Sequence, residues 1–326
     1  MEIPGGSLPR MLPADFLAYL ASLSPATLCQ LFYVLAAAAV LAIAATPESA
    51  QQLLTRYGAR TSAGGTTDEK AREASDNGLL VKIIGWATSV GEVPHSWFIH
   101  FYIVSISCSI FWALQYLYHG PALEFIVRNH ASEAQASMSI NQVILVWSLM
   151  SLQGARRLYE YVAIIRPSSS KMWIVHWLLG VAFYLCTSIS IWVEGSRSIW
   201  KPDIQPLGNV VPSVNAILGV PIFFASWYMQ YRCHKHLSAL KKYTLPEYGL
   251  FQYLVCPHYT CECLLYLSLA IIAAPEDQLY NKTLVCAALF VSVNLGVTAN
   301  GTKKWYSERF GRDKVQGKWK MIPGIF

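Results

Sequence analysis

Ionisable and amide side chains gather at four places in this chain. Glu92, His95 and His100 fall in one short stretch, and Gln153, Arg156, Arg157, Tyr159 and Glu160 in a second. Gln230, Arg232, His234 and His236 form a third, and His258 and Glu262 stand four residues apart in a fourth. A separation of four places two side chains on one face of a helix. A carboxyl group beside imidazoles suits proton transfer. Arginines beside aromatic rings suit a phosphate-bearing ligand, the guanidinium pairing with oxygen while a ring stacks on a base. His258 and Glu262 have the separation of helical metal ligands, but the H-E-x-x-H pattern is missing and no metal is expected. The plainer readings are arginines snorkelling to lipid phosphates and helix-end histidines that bind nothing.

The elements that must position these groups are apolar. Of 326 residues, 54% are hydrophobic and only 13% charged, whereas a soluble domain carries about 25% charged residues. The apolar residues form blocks near the roughly 20 residues that cross a hydrocarbon core as helix. This predicts an all-α integral membrane protein with seven spans, at about 25–45, 95–118, 138–163, 172–193, 210–231, 252–274 and 279–300, with 79–90 as a shorter approach to the second. The first apolar block starts late and lacks a small-residue cleavage site, so no signal peptide is expected. Twenty of the 25 lysines and arginines lie on one side of this arrangement. Cytosolic loops hold the excess of Lys and Arg, which sets the N-terminus in the lumen and the C-terminus in the cytosol.

The stretch 58–78 is polar and rich in Gly, Ser and Thr, and reads as a flexible cytosolic loop. The eight cysteines lie mostly within spans and read as reduced, small apolar residues. A sequon at Asn281-Lys282-Thr283 falls in a luminal loop, close to the bilayer, and another at Asn300-Gly301-Thr302 on the cytosolic side should be silent. The segment 303–326 interleaves seven basic residues with Trp305, Tyr306, Phe310 and Trp319. It reads either as an interfacial helix on anionic lipid or as part of a polyanion pocket. No G-x-G-x-x-G follows a strand and G-x-x-x-x-G-K-[ST] is absent, so a dinucleotide would need a helical membrane site.

Several segments then point to a family. Gln230 to His234 (QYRCH), Tyr248 to Tyr253 (YGLFQY), Pro257-His258-Tyr259-x-x-Glu262, and Lys304-Trp305-Tyr306 through Met321-Ile322-Pro323 resemble the C-terminal domain of the steroid 5-alpha-reductase family. QYRCH and PHYTCE, with Leu152 to Glu160 (LQGARRLYE) and His100 to Ser105 (HFYIVS), resemble its polyprenol reductase branch. The resemblance is dense over 220–326 and patchy over 90–167. It implies a seven-helix bundle of the endoplasmic reticulum membrane that binds NADPH from the cytosol. It also implies three regions: 1–80 with the first span and a loop, 81–209 on the substrate side, and 210–326 for the cofactor.

By position the resemblance assigns Gln230, His234, Lys241, His258, Glu262 and Tyr306 to the cofactor, with Arg157, Tyr161 and Arg166 on its phosphate and ribose side. Glu92, before Val93-Pro94, matches a glutamate that holds the substrate carbonyl; it is the first candidate acid, protonated in an apolar pocket, and His95 is the second. Three departures stand out. The tyrosine that pairs with that glutamate aligns with Gly154, an aspartate with His234 and an asparagine with His258. Hydride adds to a C=C bond only where a conjugated carbonyl accepts the electrons, so the expected substrate is polyprenal, reduced at its alpha-isoprene unit toward dolichol for protein N-glycosylation. The expected partners are a long polyprenyl lipid and the membrane, with no nucleic acid and no obligate protein. The competing readings are a steroid enone reductase, an isoprenylcysteine-type methyltransferase using S-adenosylmethionine, and a non-catalytic lipid carrier.

Overall fold

Side-chain caps and prolines start the helices where the apolar blocks begin. The computed structural model describes residue 18 and residues 22–46, 91–130, 137–165, 170–200, 213–241 and 243–326. Ser24 caps α1 (Pro25–Ala44) by accepting from the Thr27 amide, with Pro25 in the first turn, where a missing N–H costs nothing. Ser139 and Gln142 form a reciprocal capping box on α4 (Ile140–Ala163). Ser213 caps α7 (Val214–Ala239), Pro257 opens α8 (Pro257–Ile272), and Asn281 caps α9 (Lys282–Phe310), which stops at Gly311 with φ 97°. Between them lie α2 (Ile99–Leu117), α3 (Pro121–His130), α5 (Ile174–Val193) and the short α6 (Ser196–Trp200).

The described residues are thus mostly helical, with a helix lying in each of the seven apolar blocks. Four segments among the described residues are long and apolar enough to cross a membrane: Pro25–Ala44, His95–Leu117, Ile174–Val193 and Lys282–Phe310. The other three long helices differ for physical reasons. Helix α4 contains Arg156, Arg157 and Glu160, the apolar run of α7 is interrupted by Asn215, Pro221, Ser226 and Gln230, and α8 has 16 residues. One element has no counterpart in the sequence expectation. Strand β1 (Glu92–Pro94) pairs antiparallel with β2 (Lys171–Trp173), Val93 opposite Met172. The approach segment 79–90 and the loop 58–78 lie outside the described residues.

Helix α7 lies along α8, α9 along both α8 and α1, and α2 between α4 and α5. An aromatic core joins them. The Phe183 ring of α5 meets Tyr33 of α1 at 6.0 Å, Tyr266 of α8 at 5.6 Å and Phe290 of α9 at 5.4 Å. The fully buried Tyr33 hydroxyl lies 3.2 Å from Thr187 and 3.1 Å from Ser190, which meets the need of a buried phenol for a partner. Leu35, Ile110, Val162, Leu178 and Ile217 point outward and are exposed, as befits side chains facing lipid.

At one end of the bundle the Gln142 amide donates to the Ala274 carbonyl at 2.8 Å, tying the start of α4 to the end of α8. Nearby, Asn281 is fully buried: its oxygen accepts from the Leu284 amide at 3.0 Å and its nitrogen donates to the Ala273 carbonyl at 3.2 Å. That sequon asparagine is therefore spent on structure. All eight cysteines are free thiols. The segment after α9 folds back at the opposite end. Val255 and Cys256 amides donate to the Trp319 and Lys320 carbonyls at 2.8 and 3.0 Å, and Trp319 donates to Tyr253 at 2.9 Å. Lys303 secures this strap through the Lys318 carbonyl at 2.6 Å.

Candidate functional site

The later halves of α4 and α7 and the first turns of α8 converge at that second end, and their polar residues form one buried network. Within α4, Arg156 and Arg157 precede Glu160 by four and three residues, so all three share a face. The Glu160 carboxylate is fully buried; it accepts from Arg156 at 3.0 Å and, closer still, from Arg157. His234 of α7 brings its Nδ1 to 2.8 Å from the same carboxylate and 2.8 Å from Arg157. A carboxylate removed from water must be paired, and Glu160 has three partners.

A second layer of amides extends the network toward α8. Arg156 donates to the Gln153 oxygen at 2.7 Å, to the Trp227 carbonyl at 2.9 Å and, at shorter range, to the Gln230 oxygen. Gln230 donates from its nitrogen to the Glu262 carboxylate and to the His258 carbonyl at 3.3 Å. Gln153 also reaches Glu262, at 3.3 Å. The His258 ring lies 5.6 Å from His234 and 4.3 Å from Tyr259. Arg157 reaches across to α2, where it donates to the Tyr102 hydroxyl at 2.7 Å.

Of the residues singled out for the cofactor, Arg157, Gln230, His234, His258 and Glu262 meet here. Tyr161 lies at the border: its hydroxyl donates to the Ser96 carbonyl at 2.9 Å and its ring is 6.0 Å from Tyr102. Lys241 is exposed just past α7 and outside the network. Tyr306 packs in a separate aromatic group with Trp305 at 5.5 Å and Phe310 at 5.8 Å, on the strapped side of α9. Arg166 lies outside the described residues.

The two candidate acids are placed differently from expectation. Glu92 sits on β1 with its side chain 42% exposed and ion-paired to Lys171 of β2 at 3.0 Å. The apolar pocket expected around it is replaced by a salt bridge, because the β1–β2 pairing brings a lysine alongside. His95 opens the turn after β1, half-buried and stacked on Phe98 at 4.7 Å. Sequence reasoning noticed Gln153, Arg156 and Glu160 as polar but gave them no role, although the i, i+3 and i, i+4 spacing of the ion pairs was legible. It missed Tyr102, whose link to Arg157 is set by the packing of two helices and leaves no local signal.

The donor set also suits a nicotinamide dinucleotide. The Glu262 carboxylate keeps lone pairs that can accept from a carboxamide, while the amide hydrogens of Gln153 and Gln230 are already given to Gln230, to Glu262 and to the His258 carbonyl. The Arg156 Nε is buried with no hydrogen-bond partner among the described residues. Lys318 and Lys320 on the strap, with Lys303 of α9 beside them, supply positive charge, and burial lowers the Lys318 ammonium from its ordinary pKa while Glu247 opposes that shift.

Comparison with known proteins gives a family and a set of relatives, three of which are described below. Residues 170–326 match the family described as 3-oxo-5-alpha-steroid 4-dehydrogenase. The chain is 31% identical over 241 residues to an uncharacterised protein of Schizosaccharomyces pombe, covering 72% of this chain and 79% of that one. It is 27% identical over 280 residues to the polyprenal reductase of Caenorhabditis elegans, covering 80% and 85%. To the polyprenal reductase of Saccharomyces cerevisiae it is 29% identical over 234 residues, covering 72% and 75%.

Proposed function

Because the chain belongs to the steroid 5-alpha-reductase family and is an oxidoreductase acting on a CH–CH group, we propose that it reduces the alpha-isoprene double bond of polyprenal with NADPH. The product leads toward dolichol for protein N-glycosylation. The observation that carries this reading is the single buried network in which Arg157, Glu160, Gln230, His234 and Glu262 from three helices meet. The names of two relatives support the substrate.

Bound at this end, the dinucleotide supplies hydride. The residues then divide by what they offer. Gln153, Gln230 and Glu262 present a polar wall to the carboxamide, and Arg157 with the exposed Lys241 serves the phosphate side together with Tyr161, Arg166, His258 and Tyr306. Burial makes these hydrogen bonds stronger than they would be in water and excludes competing solvent. Glu92 and His95 mark the substrate side, next to the amino end of α2. The enzyme is read as a seven-span protein of the endoplasmic reticulum membrane with its C-terminus cytosolic; the outward-facing apolar side chains and four apolar helices support the membrane part of that reading.

The test supplies purified protein with NADPH and, in parallel, polyprenal, polyprenol or a steroid enone, and identifies products by mass spectrometry. Reduction of polyprenal alone is expected. Turnover of the steroid enone in place of polyprenal would overturn the substrate assignment.

A further inference from the structure

The basic and aromatic stretch 303–326 reads from its sequence as either a lipid surface or a polyanion pocket, and the depth to which it folds back favours lipid. Helix α9 carries a mostly apolar run, Leu284 to Ala299, that ends at Asn300. After Gly311 the chain does not continue outward but returns alongside α9 and the start of α8. The Lys303 ammonium donates to the Gln316 carbonyl at 3.3 Å, and the Thr260 hydroxyl to the Met321 carbonyl at 2.5 Å. Phe326 reaches farthest back. A Cβ on Gly296 would stand 3.7 Å from its ring, and at about 1.5 Å per residue Gly296 lies roughly 5 Å inside the end of the apolar run.

Large side chains on this returning segment are left uncovered. Ile322 and Ile325 are exposed, Ile325 at 78%, and so are Trp319 and Tyr253, whose carbonyl accepts from the Trp319 amide. Tryptophan and tyrosine concentrate where hydrocarbon meets headgroups. The charge beside them has one sign. Seven basic residues lie in 303–326 against two acidic ones, Glu308 and Asp313. Lys303 and Lys318 are bound to backbone carbonyls. The Lys320 ammonium stands 4.1 Å from the centre of the Phe326 ring, where its apolar stem lets the charge reach outward to phosphate. Arg312 and Lys314, on the turn after α9, are exposed and make no side-chain hydrogen bond or ion pair among the described residues.

We propose that the strap is a lipid-binding element, in which Trp319, Ile322 and Ile325 enter the leaflet at this end of the bundle while Lys320, Arg312 and Lys314 hold the headgroups of anionic phospholipids. Basic residues beside a membrane are drawn to such headgroups. This rests on α9 being a membrane span and is independent of which reaction the protein performs. Lipid bound there steadies the strap against the threshold of α8, to which the Val255 and Cys256 amides tie it.

The experiment places full-length protein in nanodiscs of phosphatidylcholine, with or without phosphatidylserine, and follows amide hydrogen exchange over 312–326. Exchange there is expected to slow when phosphatidylserine is present, and Arg312→Glu combined with Lys314→Glu is expected to cancel that slowing. Lipids brominated along their chains supply a second arm. The protein has eleven tryptophans, so contact is read as the difference between wild type and Trp319→Phe: brominated lipid should quench the Trp319 share, and iodide in the water should not. Quenching by iodide alone, or equal exchange in the two kinds of disc, overturns the proposal. The exchange arm, measured on wild type, decides the matter if Trp319→Phe does not fold. Addition of NADPH to detergent-solubilised protein tests the polyanion reading: slowing of the same amides by NADPH, with none from phosphatidylserine, assigns the strap to the dinucleotide and overturns lipid binding. A protein that enters no bilayer overturns the membrane reading and this assignment with it, whereas a protected strap on a protein that reduces no polyprenal upholds the assignment and sinks only the functional reading.

Discussion

Glu160→Gln is expected to damage the fold more than any surface change. The carboxylate is fully buried between Arg156 and Arg157, whose side chains are 4% and 17% exposed, and His234 is a third partner. Charge-assisted hydrogen bonds contribute about 1.5–3 kcal/mol each, but the glutamine oxygen still accepts from one arginine, so the three do not simply add. Removing one member of a buried ion pair costs about 3–5 kcal/mol, because the charge left behind has no compensation. At about 1.4 kcal/mol per tenfold, the ratio of folded to unfolded protein falls by roughly two to three and a half decades. The formal charges of Arg156, Arg157, Glu160 and Glu262 cancel, so the single variant leaves one cation in surplus. Adding Arg157→Met restores the balance and should recover part of the lost stability, even though it removes a further contact. Reversible unfolding by SDS titration of wild type, both single variants and the double variant measures the coupling. A Glu160→Gln protein within about 0.5 kcal/mol of wild type, or a second substitution that only adds to the loss, would refute the argument.

Further outcomes can be checked independently. A C-terminal tag on the protein in intact microsomes should be removed by added protease, as the excess of basic residues on that side requires; full protection would reverse the orientation. Glu262→Gln should weaken NADPH binding in a direct titration for every substrate alike, whereas Glu92→Gln should leave it nearly intact; the opposite pattern would exchange their sides of the site. Gly219→Ala pushes a Cβ to 2.4 Å from Ile272 and 3.1 Å from the Ser268 carbonyl, and should lower stability by about 1–3 kcal/mol in the same SDS titration. Asn281→Ala removes the cap of α9 at a cost of about 0.5–2 kcal/mol, yet should run on a gel with the wild type, whose own mobility glycosidase should leave unchanged because the buried Asn281 amide is not available to a glycosyltransferase.

The long helices were legible because an apolar run bounded by Ser, Pro or Asn states its own start: Pro25, Ile174 and Lys282 lie within a few residues of the expected bounds. The partnership of Arg156, Arg157 and Glu160 was legible too, as spacing along one helix. What could not be read was the meeting of helices. Nothing local says that the Gln230 amide will turn toward Glu262, or that Tyr102 will face Arg157, since both depend on how α7, α8, α2 and α4 pack. The three-residue strands were hidden for another reason. Glu92-Val93-Pro94 and Lys171-Met172-Trp173 are too short for an alternating pattern to register, and their pairing is what moved Glu92 from an apolar pocket to a salt bridge.

The strap after α9 bears on how the protein is made. The Val255 and Cys256 amides at the threshold of α8 find their acceptors only at Trp319 and Lys320, about 60 residues later in synthesis, which at about 5–20 residues per second is a wait of roughly 3–12 s. During that interval α9, which is long and apolar enough to cross, can enter the membrane while this end of the bundle stays unfastened. Membrane insertion and completion of this site are then separate events in time, and a ribosome stalled before residue 319 leaves an inserted chain whose α8 threshold has nothing to hold it.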